Sequence, residues 1–376
     1  MTIRNWIFSF MAGIATAGMG EARPVVSEDN LYLITGSYAP ASAEGIRVYR
    51  FDQTTGTTSY VSGLRGVENP SFLVPDQTGT HIYAVGENDA ATSTANSLNF
   101  DRARGILTLT GSRPTHGAAP CHIAVSPDGK YVVTANYEGG SLTIFPLQAN
   151  GTLGNGTVVS FSGNGPVKGR QDSPHLHFIS FTPDNRYLLA NDLGTDCIHR
   201  FPLTADNGSL IDTTRQTRIP LPPGSGPRHM VFAPDGHRAY LITELSGQVV
   251  ALTYADGDLK PVQYAVADSL GAQGSADIHL SPDGRYLYAS NRLKGDGLAI
   301  FSVSTADGHL TRAGYQPTGP HPRNFTITPN GKYLLVACRD ADQIQIFRRN
   351  PQTGQLTDTG KRIDMPKPVC LQWVRP

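Results

Sequence analysis

Charge is scarce in this chain. Of 376 residues only 16% are Asp, Glu, Lys or Arg, and 31 basic side chains balance 31 acidic ones. Without a basic surplus there is no counterion release to drive nucleic-acid coating, and a hydrophobic content of 39% excludes a disordered polyanion. Cysteine is scarce too. Cys121, Cys197, Cys338 and Cys370 form no CxxC pair and no metal-ligand spacing, so no metal or other cofactor is indicated and buried thiols are expected. No apolar run after Met19 is long enough to cross a bilayer, and Trp6 to Met19 falls short of the roughly 20 residues a span needs. A GxSxG elbow, an HExxH pair and a P-loop are also missing, which argues against a serine esterase, a zincin and a nucleotide enzyme.

At the N-terminus, Arg4 precedes the apolar run, which ends at Gly20-Glu21-Ala22 before Arg23-Pro24. A short positive start, an apolar stretch and a small-x-small site read as a secretory signal over residues 1–22. The expectation is an exported, periplasmic protein with no membrane insertion, its residues 23–376 forming one domain.

Glycine (40) and proline (27) are plentiful, which suits many tight turns between short strands. One turn recurs: Val74-Pro75-Asp76, Ser126-Pro127-Asp128-Gly129, Thr182-Pro183-Asp184-Asn185, Ala233-Pro234-Asp235-Gly236, Ser281-Pro282-Asp283-Gly284 and Thr328-Pro329-Asn330-Gly331. The prolines stand 47 to 56 residues apart, the period of a four-stranded propeller blade. Residues 31–62 supply three strands of a further blade, and the tail from Val369 supplies its missing innermost strand. The sequence therefore predicts an all-β, seven-bladed β-propeller whose ring is closed by N- and C-terminal strands in one blade, leaving no open sheet edge.

In a propeller the innermost strands line a central channel. The sixth position before each turn proline (Cys121, His177, Arg228, Ala276, Arg323) should therefore share one mouth with the ninth and tenth positions after it. Those later positions are Asn136 and Tyr137, Asp192 and Leu193, Thr243 and Glu244, Asn291 and Arg292, and Cys338 and Arg339. Titratable groups converging on a concave place, in a chain otherwise poor in charge, make a candidate site. Arginines there suit a carboxylate or a developing oxyanion, while Glu244 and His177 suit proton transfer, a set that fits water attack on a carbonyl.

The segments around these positions are Pro120-Cys121-His122, Ala135-Asn136-Tyr137-Glu138-Gly139-Gly140-Ser141, Pro174-His175-Leu176-His177, Asp192-Leu193-Gly194-Thr195-Asp196, Gly226-Pro227-Arg228-His229, Thr243-Glu244-Leu245, Ser290-Asn291-Arg292 and Pro322-Arg323-Asn324-Phe325. Together they resemble the seven-bladed propeller lactonase family, which includes 6-phosphogluconolactonases and a carboxy-muconate lactonising enzyme. The resemblance implies a metal-independent sugar-lactone hydrolase. It carries the family's catalytic His, two Arg and Glu onto His177, Arg228, Glu244 and Arg292, with His175 as the rival histidine.

On that reading Arg228 and Arg292 hold the lactone carbonyl, Glu244 activates water and His177 protonates the departing ring oxygen. The last two roles are exchangeable, because guanidinium neighbours keep Glu244 ionised. His122, Asn136, His175, Asp192, His229, Asn291 and Arg323 are expected to contact substrate. Export favours glucono-1,5-lactone, hydrolysed to gluconate. The alternatives are a 6-phosphogluconolactonase, a muconate-type lactonising enzyme, and a non-catalytic propeller binding a peptide or envelope polymer.

Overall fold

Each recurring turn closes on its own side chains. At Ser126–Gly129 the serine hydroxyl donates to Asp128 (2.6 Å) and accepts from the backbone N–H of Tyr131 (2.9 Å). Gly129 sits at φ +69°, a conformation that a Cβ disfavours. The same geometry returns at Gly236, Gly284 and Gly331, and Asn185 adopts it at φ +56°. Each turn joins an innermost strand to the next strand outward.

The computed structural model describes residues 30–204 and 208–376; the proposed signal at 1–22 lies outside them. The described residues form seven four-stranded antiparallel sheets. Their innermost strands are Leu73–Pro75, Pro120–Val125, Leu176–Phe181, Pro227–Phe232, Ser275–Leu280, Pro322–Ile327 and Pro368–Val374. Neighbouring innermost strands lie side by side around the whole ring. Asn30–Ser37 pairs with Pro368–Val374, so both ends of the chain build one blade. This is the seven-bladed propeller read from the sequence.

The core lies between blades. Leu33, Tyr49 and Phe51 of the closing blade pack on Tyr333, Leu335, Ile344 and Ile346 of the blade before it, all buried. Full burial of each such side chain contributes about 1.5–3 kcal/mol. A hydrogen bond recurs beside this packing: Tyr83, Tyr240 and Tyr288 donate to the carbonyls of Gly151, Gly308 and Gly354 in the following blade at 2.7–3.0 Å. Removing one such hydroxyl should cost about 1 kcal/mol.

One repeat differs from the sequence reading. The first turn is Asp76–Gly79, whose Asp76 N–H donates to His81 as Ser126 N–H donates to Tyr131. Gln77 therefore occupies the proline position, and Pro75 closes the strand two residues earlier.

Candidate active site

Six of the seven innermost strands carry a register shift at the channel mouth opposite the turns, here called the upper mouth. Pairing with the second strand passes from Pro120 to His122, from Leu176 to Phe178, from Pro322 to Asn324 and from Pro368 to Cys370. It shifts likewise between Pro227 and Met230. A bulge leaves its extra residue out of the ladder and re-aims the side chain. Here the extra residues are Cys121, His177, Arg323 and Val369, with Arg228 in the equivalent stretch. All five border one cavity, with Ser71, Phe72, His229 and Asn324. The cavity measures about 10 Å³, room for roughly one water.

Above this floor the ends of the second strands add a charged cluster. Glu244 is its centre: Oε2 accepts from Arg228 Nε (2.7 Å) and pairs with Arg292 (3.2 Å), while Oε1 accepts from Arg170 (2.6 Å). Arg228, 1% exposed, also donates to the Ala276 carbonyl at 2.7 Å. Arg292 donates to the Gly274 carbonyl (2.7 Å) and lies 3.3 Å from His321 Nε2. On the opposite side of the mouth Arg323 lies over the Tyr38 ring at 5.6 Å, and the Tyr38 hydroxyl donates to Glu87 at 3.0 Å. Four guanidinium groups thus face two carboxylates.

Burial raises the pKa of the Glu244 carboxyl, but Arg292, Arg228 and Arg170 outweigh that and hold it at about 2. Burial brings Arg292 down to about 9. His177 is pushed well below the usual imidazole value by burial and by Arg228, so its ring is neutral at pH 7. A buried charge is costly unless paired. Glu244 compensates three guanidiniums at once, and both its oxygens are occupied in doing so.

The structure brings His177, Arg228, Glu244, Arg292 and Arg323 to this one mouth. His175 lies at its rim, its ring stacked on Tyr137 at 4.3 Å and its Nδ1 donating to the Tyr137 carbonyl at 3.0 Å. His122 lies deeper, between Phe72 and Phe178 with ring centroids 4.3 Å from each. His229 sits in the same layer, 5.7 Å from His122.

Three residues assigned to substrate hydroxyls have other partners. Asn136 is bonded to Thr134, Ser141 and Thr143, and Asn291 to Ser275 and the Ala267 carbonyl. Asp192 accepts from the His175 and Gly194 N–H groups, from Thr195 and from His199. The physical reason is register: each is the last residue of a second strand, turned into its blade, and after Asn136 and Asn291 the next residues, Tyr137 and Arg292, meet the charged cluster instead. Asp192, Cys197 and His199 bring metal-ligand atoms within 4.8 Å of one another, but the Arg218 guanidinium donates to Cys197 Sγ at 3.3 Å and Asp192 is already fully bonded. The four cysteines are free and buried.

Sequence reasoning missed Glu87, Tyr38 and Arg170. Glu87 follows the strand His81–Gly86 as Glu244 follows Arg238–Thr243; anchoring the first turn on Gln77 rather than Pro75 finds it. Tyr38 holds the same place after Asn30–Ser37, in the blade without a turn copy. Arg170 comes from the long segment before Leu176–Phe181 and has no repeat position to reveal it.

A family model described as lactonase, 7-bladed beta-propeller, matches residues 32–373. A 6-phosphogluconolactonase of Formosa agariphila is 38% identical over 83% of this chain and 90% of its own length. A crystal structure from Bacteroides fragilis superposes with a TM-score of 0.90 at 48% identity, over 93% of this chain and 99% of that one. The periplasmic gluconolactonase of Pseudomonas aeruginosa does so with a TM-score of 0.86 at 33% identity, over 92% and 99%. Fold, family match and relatives agree: the chain belongs to the seven-bladed β-propeller lactonase family and is a lactone-hydrolysing enzyme, a carboxylic ester hydrolase.

Proposed function

We propose that this enzyme opens glucono-1,5-lactone to gluconate in the periplasm, at the upper mouth. The observation that carries this reading is the arginine cluster around Glu244. Its guanidiniums are fixed before substrate arrives, so they stabilise the oxyanion formed on water attack without reorganising. Arg228 and Arg292 receive the carbonyl oxygen. His177, neutral and on the floor of the funnel, donates a hydrogen bond to the departing ring oxygen. Glu244 holds the guanidiniums in place rather than taking the water's proton, because its oxygens are already engaged and its basicity is low. The unphosphorylated substrate and the periplasmic location are supported by the leader-like N-terminus and by the gluconolactonase relative.

A second reading, the 6-phosphate of the same lactone, is favoured by the excess of guanidiniums over carboxylates at the mouth and by the relative from Formosa agariphila. Ring opening followed by polarimetry, with spontaneous opening subtracted, separates the two. The first reading expects kcat/KM for glucono-1,5-lactone to exceed that for its 6-phosphate and for a muconolactone by about tenfold or more, a gap of about 1.4 kcal/mol. A preference of that size for the phosphate selects the second reading, and activity on none of the three rejects both.

A further inference from the structure

With Glu244 engaged by three guanidiniums, the attacking water needs another base. The floor of the funnel contains a candidate that the sequence placed only among substrate contacts. His229 is 5% exposed. Its Nδ1 lies 2.8 Å from Asp277 Oδ1 on the next blade. Asp277 is itself 2% exposed, and its other oxygen accepts from Asn324 (2.6 Å) and meets His279 Nε2 at 3.0 Å. Burial raises the pKa of Asp277, yet His279 and His229 hold it well below the usual carboxyl value, so it is an anion. An anion fixed at Nδ1 makes that nitrogen the protonated one and leaves the Nε2 lone pair free.

His229 Nε2 is buried with no hydrogen-bond partner among the described residues. The ring borders the water-sized cavity that it shares with His177, Arg228 and Arg323, and its centroid lies 5.3 Å from that of His177. A buried imidazole edge without a partner is costly, and the ring lies between two spaces that can hold water, this cavity and the larger one on the turn side.

We infer that His229 is the general base of lactone opening and that Asp277 is its positioning residue. The inference rests on the lactonase reading above. As the water oxygen bonds to the carbonyl carbon, its proton moves to His229 Nε2, and the carbonyl electron pair becomes an oxyanion beside Arg228 and Arg292. When the oxyanion collapses, the ring C–O bond breaks and the imidazolium gives the same proton to the departing ring oxygen. The product is the open hydroxy acid, which ionises in water.

The groups facing His229 are Asp277, Arg228, Arg323, His177 and His122. Burial and Arg228 lower its pKa to about 4 against the support of Asp277. The free base therefore persists across neutral pH, and kcat/KM should decline only in acid.

The test is His229→Gln and Asp277→Asn, assayed by polarimetry on whichever lactone the wild type opens, with folding checked by circular dichroism. His229→Gln should lower kcat by about 10²-fold or more, the usual scale of base catalysis, with KM within threefold. Asp277→Asn should lower kcat by at least about tenfold and move the acid limb of kcat/KM to lower pH, which a purely structural role would not do. Because either variant can fail to fold, imidazole ¹⁵N NMR of the wild type supplies a second reading. His229 should be protonated at Nδ1 only, with the Nε2 signal shifted by added gluconate. A protonated Nε2, or a folded His229→Gln retaining activity within threefold, overturns the assignment. Wild-type inactivity on every lactone removes the functional reading, and the base assignment falls with it.

Discussion

The two mouths of the channel are built from the same seven strands and differ in almost every other respect. The lower mouth, beside the turns, holds the larger cavity, about 400 Å³, lined by Val74, Ala124, Val231, Ile278 and neighbouring apolar groups with His279 and Gln372, and reaching His229 and Asp277 at its inner end. The upper mouth encloses only about 10 Å³ at its floor but gathers four arginines and two glutamates. Between them the rings of Phe72, His122, Phe178 and His229 form one packed layer. Volume alone would direct attention to the lower mouth. Buried guanidiniums are expensive to desolvate, and the proposed mechanism uses their concentration at one end to stabilise transition-state charge. The bulges that create the asymmetry lie between the first two paired positions at the upper end of these strands.

This contrast can be broken at several points. The largest effect is expected for Arg228→Met, which removes a fixed oxyanion donor and should lower kcat/KM by about 10²–10³-fold; a pH-stat assay near neutrality measures it. Glu244→Gln comes next. It should cost at least about tenfold by loosening three guanidiniums, and its stability should carry a pH signature. Glu244 is held at about 2 against an ordinary 4.5. Its ion pairs therefore contribute stability that is fully present above pH 4.5 and is lost as the pH falls toward 2. In urea titrations the wild type should exceed Glu244→Gln at pH 7, and the gap should narrow in acid; a constant gap would falsify the ionised bridge. His177→Ala should also lose at least about tenfold in kcat, and a smaller loss with folding intact removes His177 from the chemistry. The smallest effect belongs to the lower mouth. Gln372→Ala should leave kcat/KM within about twofold, and a loss comparable to that of Arg228→Met would erase the distinction between the two ends.

How much of this was legible in the sequence follows from where the information is periodic. The turns repeat because Pro, Asp and Gly each satisfy a local backbone demand, so six of them disclosed the ring, and the tail from Val369 supplied its closure. His177, Arg228, Glu244 and Arg292 were found by counting from those turns. The same counting failed where the punctuation changed: Pro75 imitates a turn proline two residues early, and Glu87 was lost with it. Strand-end polarity does not by itself separate two roles: Asn136, Asp192 and Asn291 are bonded to neighbouring strands and loops, whereas Arg292, one place after Asn291, pairs with Glu244. Arg170 belongs to a segment without a repeat partner, and no pattern announces it. The pairing of His229 with Asp277 crosses from one blade to the next, a contact that sequence spacing does not encode.

The most direct test is a crystal structure with 1,5-gluconolactam, a hydrolysis-resistant analogue that keeps the ring carbonyl. The account requires the lactam oxygen to lie within hydrogen-bonding distance of Arg228 and Arg292 at the upper mouth, with the ring above the His177 and His229 floor. An analogue seated instead in the lower cavity, beside Gln372 and the turns, would contradict it.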